Sequence, residues 1–168
     1  MTKSASEPSM SVQIAYLKEA LELYVLEISD IIHWADEEIN RQASPSYELI
    51  ELALMGKSNR YDVANQLLRV VTPSMSSAET LPYVLAAAHK KLLGAPDFGK
   101  ILAEGLYRTW IKADCNFPDA LSPCGYFDDA YSLAESGTFG TIDQINQELL
   151  EFTAGFLSWD WAARRDMQ

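Results

Sequence analysis

The chain has 168 residues, 48% of them hydrophobic, and a net charge of -11, which suits one domain with a packed core and excludes global disorder. No apolar run approaches the roughly 18 to 20 residues of a bilayer span, which excludes a helical membrane protein. The acidic surplus disfavours direct nucleic-acid binding, because phosphate contacts need a net supply of Lys and Arg.

The N-terminal "MTKSASEPSMSVQ" is polar, with a proline and four serines, and reads as a flexible tail over residues 1–11. It lacks the basic-then-apolar order of a signal peptide. With only two cysteines, Cys115 and Cys124, the expected location is a reducing cytoplasm, with both thiols free. The remainder, residues 12–168, reads as a single helical domain.

The first ordered stripe is Ile14, Leu17, Leu21, Tyr24, Ile28, Ile31 and Ala35, spaced alternately by three and four. It fits one long helix to about Asn40, or two helices with Ser29 capping the second at Asp30; the pattern leaves both open. "ASPSYELIELALMG" is a short helix, with Ser44 as its cap, Pro45 in the first turn and a left-handed Gly56 at its end. In "SNRYDVANQLLRVVTP", Asn59 caps a helix that turns Val63, Leu67 and Val70 inward and stops at Pro73.

The next helix runs from about Ala78 to Leu93, and Pro82 belongs in its first turn, or else the helix begins near Leu81. "PDFGKILAEGLYRTWIK" follows, with Phe98, Ile101, Leu102, Leu106 and Trp110 as core candidates. Gly99 and Gly105 each cost it about 1 kcal/mol relative to alanine, which close packing of a neighbour against Gly105 would offset. "DCNFPDALSPCG" is a loop. Phe127, Ala130, Tyr131 and Ala134 mark a helix that Gly137 ends. Gly140 and Thr141 open the last long one, with Gln144 in capping-box position and a stripe of Ile142, Ile145, Leu149, Phe152 and Phe156. A final short helix packs Trp159 or Trp161. No strand pattern or repeat appears. The expectation is an all-α, single-domain antiparallel helical bundle of about six to eight helices.

The charge is unevenly spread. Residues 1–56 carry ten acids and three bases, residues 57–112 four acids and eight bases, and residues 113–168 ten acids and two bases. Such a chain suits a basic protein partner, and a solubilising negative surface is the plainer reading. Asp128 and Asp129 are adjacent near a helix start, where acids are favoured. They point about 100° apart, so they do not converge on one proton or one metal. Asp128, Ser132 and Glu135 share a face. Asp36, Glu37 and Glu38 fan around a helix turn, with His33 in position to pair with Glu37. These acids read first as wet helix faces and second as a docking surface.

Asp30 and His33 have a carboxylate–histidine spacing, but the second motif that helical metal sites need is missing, so no metal or cofactor is expected. No nucleophile elbow, phosphate loop or dinucleotide fingerprint is present, and "GTFG" is a turn. No catalytic residue is nominated. Lys90, Lys91, Lys100, Arg108 and Lys112 fit a groove for an anion, but Lys100, Glu104 and Arg108 are spaced by four, so a surface ion ladder, or pairing with the two acidic thirds, is the plainer reading. Exposed aromatics beside acids would make interface anchors.

The segments "IIHWADEEINRQASPSYELIELAL" and "YFDDAYSLAESGTFGTIDQINQELLEF", about a third of the chain, resemble the immunity proteins of bacterial polymorphic-toxin systems, which are small acidic helical proteins. In those chains a Trp-Ala-Asp helix precedes a Pro-Tyr-Glu helix start. The matching residues here are Trp34, Ala35 and Asp36, then, with one insertion, Pro45, Ser46, Tyr47 and Glu48. The second segment resembles their Asp-Asp, Leu-Ala, Gly and Gly region at Asp128, Asp129, Leu133, Ala134, Gly137 and Gly140. The resemblance implies a cytoplasmic, non-catalytic protein that binds and blocks a cognate toxin, often a nuclease. Asp36, Glu37, Glu38, Asp128, Asp129 and Glu135 are the candidate contacts. The alternative is a regulatory or scaffold protein, self-associating into a homo-oligomer through exposed aromatics.

Overall fold

The computed structural model describes residues 9–162, and the expected tail at residues 1–8 and the last six residues lie outside that range. Eight α-helices are complete within the described residues, in order: α1 Met10–Glu22, α2 Ile28–Arg41, α3 Tyr47–Ala53, α4 Arg60–Val70, α5 Ser77–Gly94, α6 Phe98–Lys112, α7 Phe127–Glu135 and α8 Ile142–Ala154. A 3-10 helix, Asp119–Gly125, precedes α7. Among the described residues there is no strand, and no helix is long and apolar enough to cross a membrane. The architecture is all-α.

Helices α1 and α5 form the centre. α1 packs against α4 and α5, and α5 also against α6 and α8. α2 lies on α3, and α7 on α6 and α8. α1 is buried nearly all round: Ile14, Ala15, Tyr16, Leu17, Ala20 and Leu21 are joined there by Gln13 and Glu19. Gln13 accepts the Trp34 indole N–H at 2.9 Å, which satisfies two buried polar groups at once. α1 begins at Met10, inside the stretch expected to be tail, because Met10 packs on the core and the Ser74 N–H donates to the Ser11 carbonyl at 3.3 Å.

The stripe from Ile14 to Ala35 is two helices, broken at Tyr24. That residue is left-handed at φ 59°, and the Val25 N–H turns back to the Ala20 carbonyl at 2.9 Å. The cap of α2 is Glu27, not Ser29, and its backbone N–H donates to the Asp30 carboxylate at 2.7 Å. Arg60 holds the corner. Its guanidinium donates to the carbonyls of Leu21 (2.7 Å) and Leu26 (2.6 Å) and to Glu27 (2.7 Å), over the Tyr24 ring at 4.1 Å. An aromatic there gives Arg60 a face to stack on, which a glycine would not.

Two further boundaries differ from expectation. Ser46, not Ser44, caps α3, because its hydroxyl accepts the Leu49 N–H; Gly56 has no positive φ, and the helix ends before it. Pro82 sits at the sixth position of α5, beyond the first turn, and the Ala78 carbonyl therefore lacks its helical donor. Burial of Leu81, Pro82, Val84 and Leu85 and a complete capping box offset that loss. In the box, Ser76 accepts the Glu79 N–H, and the Glu79 carboxylate accepts from the Ser76 backbone at 2.8 Å and hydroxyl at 2.9 Å. Those hydrogen bonds hold the Glu79 carboxyl below its usual range. Ser76→Ala is expected to cost about 1 kcal/mol, a fall in Tm of about 2–4 °C in a thermal melt.

Asn59 caps α4 as its position implies, and Val63 and Leu67 are fully buried. Ile101 faces solvent at 44% exposure, while Phe98, Leu102 and Leu106 are core. At the C-terminal side, Trp161 stacks on Tyr16 with ring centroids 4.3 Å apart, and both Trp159 and Trp161 meet Tyr83 edge-on.

Candidate functional site: an anionic helical hairpin

α7 and α8 form a hairpin whose turn is closed by local chemistry. The Gly137 N–H returns to Ala134 and the Thr138 N–H to Leu133, with Gly137 left-handed at φ 69°. Thr141 then caps α8 by accepting the Gln144 N–H at 3.2 Å. The expected box is half made, because the Gln144 side chain donates to Glu148 instead. Phe139 is left at the tip of this braced turn, 69% exposed. At the opposite end of the hairpin Phe127, Phe152 and Phe156 pack ring to ring, and midway along it the buried Tyr131 hydroxyl donates to Asn146 at 2.6 Å. Burial pushes the Tyr131 phenol up to about 12.

From Ala113 to Ala163 the sequence has nine carboxylates and no Lys, Arg or His. Cations from elsewhere neutralise two of them: Lys100 of α6 meets Glu135 at 2.6 Å, and Lys90 of α5 meets Asp160 at 3.4 Å. The Glu135 hydrogen bond holds Lys100 above the usual lysine range, and Glu104 and Asp128 add to that field. The other seven make no ion pair among the described residues, and they include Asp129, exposed in the first turn of α7, and Asp128, half-buried beside it. Exposed Tyr126, Leu133 and Ile142 intersperse the acids. A hollow of about 190 Å³ opens between α6, α7 and α8, lined in part by Lys100, Glu135, Ile142 and Asn146.

The second acidic group divides. Asp36 is exposed. Glu37 is exposed and shared between His33 at 3.3 Å and Arg41 at 4.0 Å. Glu38, expected on the wet face, is 8% exposed and paired with Arg41 at 2.8 Å, because α2 turns it inward beside Trp34 and Ala35. α2 packs on α3, and α7 on α6 and α8, so the packing does not bring the two acidic groups together.

The basic middle third is largely spent inside the molecule. Lys91 and Arg60 converge on Glu27 at 3.2 and 2.7 Å, Lys100 and Lys90 pair as above, and Arg108 pairs with Glu104 at 3.6 Å. The hollow of about 200 Å³ lined by Glu22, Tyr24, Arg60, Arg108 and Lys112 is thus partly a structural corner, held by Arg60. Asp30 is committed to its cap and His33 to Glu37. Among the described residues no three His, Cys, Asp or Glu side chains gather closely enough to hold a metal. Cys124 is a buried thiol that desolvation pushes up to about 12, and Cys115 is exposed; neither is in a disulfide.

Glu19 escaped the sequence reading. It is 5% exposed, held by the Ser77 hydroxyl at 2.9 Å and the Thr109 hydroxyl at 3.4 Å, with no ion pair to it among the described residues. Burial raises its pKa. A helix apolar on every side was the available signal, since polar residues on such a helix must also be buried. Compared with known proteins, this chain matches no family model, no curated protein and no solved structure.

Proposed function

We propose that the protein is a non-catalytic binding protein that captures a basic protein partner on the α7–α8 hairpin, and that it neutralises a bacterial toxin domain, as the immunity-protein resemblance implies. The observation that carries this reading is the hairpin's uncompensated charge: five carboxylates, Asp128, Asp129, Asp143, Glu148 and Glu151, without an ion-pair partner among the described residues, in a stretch of sequence that has no cation of its own. Nuclease-like toxin domains present cationic clefts that seek phosphate. A rigid anionic surface can occupy such a cleft, with fast and salt-sensitive association. Phe139, fixed by the turn and mostly exposed, supplies an aromatic anchor that loses little entropy on binding. Asp128, Asp129 and the paired Glu135 are the contacts on this face; Asp36 and Glu37 lie on a separate one.

The test begins with the gene directly upstream: a secreted protein ending in a toxin domain supports the reading and a metabolic operon overturns it, and co-expression with that toxin domain is then scored by co-purification and by association rate. Asp128→Lys and Asp129→Lys are expected to slow association about tenfold or more at low salt and to flatten its salt dependence. Unchanged kinetics in both variants would remove the hairpin from the interface.

A further inference from the structure

α3 presents a surface of a different kind. Leu49 and Leu52 point inward, 1% and 0% exposed, whereas Tyr47, Ile50 and Leu54 are 73%, 40% and 81% exposed. At about 100° per residue the second set lies on the side of the helix opposite the first, spaced by three and four as a continuous apolar stripe. Core packing does not account for these three residues. Their margin is anionic. Between Ile28 and Leu54 there are six carboxylates and only one Lys or Arg, Arg41, which is tied to Glu38 and Glu37. Glu48 and Glu51 follow Tyr47 and Ile50 directly on α3, which packs between α2 and α4; on the α4 side Glu51 accepts from Gln66 at 3.0 Å and shares a hollow with Asp62 and Arg69, and on the α2 side Asp36 is exposed. A second copy of the chain would set this anionic margin against itself, so charge disfavours self-docking.

We propose that the α2–α3 face binds an amphipathic cationic helix of a protein partner. Tyr47, Ile50 and Leu54 receive its apolar residues, and Asp36, Glu48 and Glu51 face its Lys and Arg flanks. An apolar stripe between carboxylates complements a helix with anchors at i, i+3 or i+4, and i+7 and basic residues beside them. This surface is separate from the α7–α8 hairpin and stands on its own observations.

The probe is a fluorescein-labelled peptide of Leu and Lys, about 18 residues long so that it can form a helix, with its leucines on one helical face. Its control has the same composition, scrambled so that no apolar face forms. Anisotropy titrations use the full chain, and circular dichroism establishes that each variant is folded. The facial peptide is expected to bind about tenfold more tightly than the scrambled one. Leu54→Ser and Tyr47→Ser should each weaken it about fivefold or more, and Asp129→Lys should leave it unchanged. Equal binding of the two peptides, or indifference to both stripe variants, would overturn the proposal. Loss of binding in Asp129→Lys would do so too, by assigning the peptide to the hairpin. Sedimentation of the wild type as a dimer that Leu54→Ser dissociates would give the face to a second copy instead.

Discussion

Gly99→Ala is expected to destabilise the protein by about 2 kcal/mol, and the same change is expected to cost almost nothing once Tyr131 is phenylalanine. A Cβ at Gly99 would collide with the Tyr131 hydroxyl and stand 3.1 Å from Asn146 Oδ1 and 3.4 Å from Leu149. Tyr131 cannot swing aside cheaply, because its ring is 2% exposed and its hydroxyl is bonded to Asn146. Overpacking of this kind costs about 1–3 kcal/mol and a lost hydrogen bond about 1 more, while alanine in a helix returns about 1. Tyr131→Phe removes the atom that the new methyl would strike. In that background the helix-forming gain of alanine should about offset the remaining close contact with Asn146, giving a coupling of about 2 kcal/mol in a double-mutant cycle of urea melts. Simple additivity would mean that α6 does not approach the hairpin this closely. The cycle also bears on function. The Gly99–Tyr131–Asn146 contact ties α6 to both helices of the anionic hairpin, so Gly99→Ala alone should speed hydrogen exchange through α7 and α8.

Signals that act within a few residues were legible in the sequence. Asn59 and Thr141 cap α4 and α8 through their own side chains, and Gly137 closes α7 through a left-handed turn, because each feature needs only its neighbours. Where local chemistry competed with packing, the pattern misled. The Ile14–Ala35 spacing is unbroken although the chain reverses at Tyr24, since a non-glycine residue holds the left-handed position and Arg60, 36 residues on, secures the corner. Pro82 lies mid-helix because buried neighbours outweigh one lost hydrogen bond. Faces were harder still. In "YELIELAL" leucine or isoleucine stands on both sides of the helix, so only the tertiary structure separates the buried Leu49 and Leu52 from the outward Ile50 and Leu54. Glu38 looked like its neighbours Asp36 and Glu37 because periodicity does not say how far around α2 the core extends. The acids of α7 needed no such knowledge. A long stretch without cations shows its charge in composition alone, and the fold adds only that Lys100 and Lys90 reach two of its carboxylates.

Glu19→Gln is expected to stabilise the protein near pH 7 by about 1–3 kcal/mol, and the advantage should vanish under acid. The carboxyl lies where α1, α5 and α6 meet. Its neighbours are Ser77 on α5, Thr109 on α6, Lys18 and Glu22 on α1, and Cys124 of the 3-10 helix. Desolvation is the largest cause of its raised pKa, opposed by the Ser77 hydrogen bond; Glu22 adds to the rise, and Lys18 and Thr109 oppose it. Folding therefore favours the protonated form. The stabilisation from burying this group is complete below its unfolded value of 4.5 and is lost as pH rises through the higher folded value. The upper limit of about 3 kcal/mol at pH 7 is the cost of keeping protonated a carboxyl whose unfolded value is 4.5. Glutamine keeps the shape and a hydrogen-bonding carbonyl without that cost. The carboxyls of Glu27 and Glu79 are held below their usual range and lose their stabilisation in acid, but both are present in the two proteins and cancel in the comparison. Thermal melts from pH 3 to 9 should therefore show two curves that coincide below about pH 4.5 and separate above it, by about 2–4 °C for each kcal/mol. Parallel curves at every pH would mean that Glu19 ionises in the folded protein as readily as in the unfolded chain, and that the junction of α1, α5 and α6 admits water.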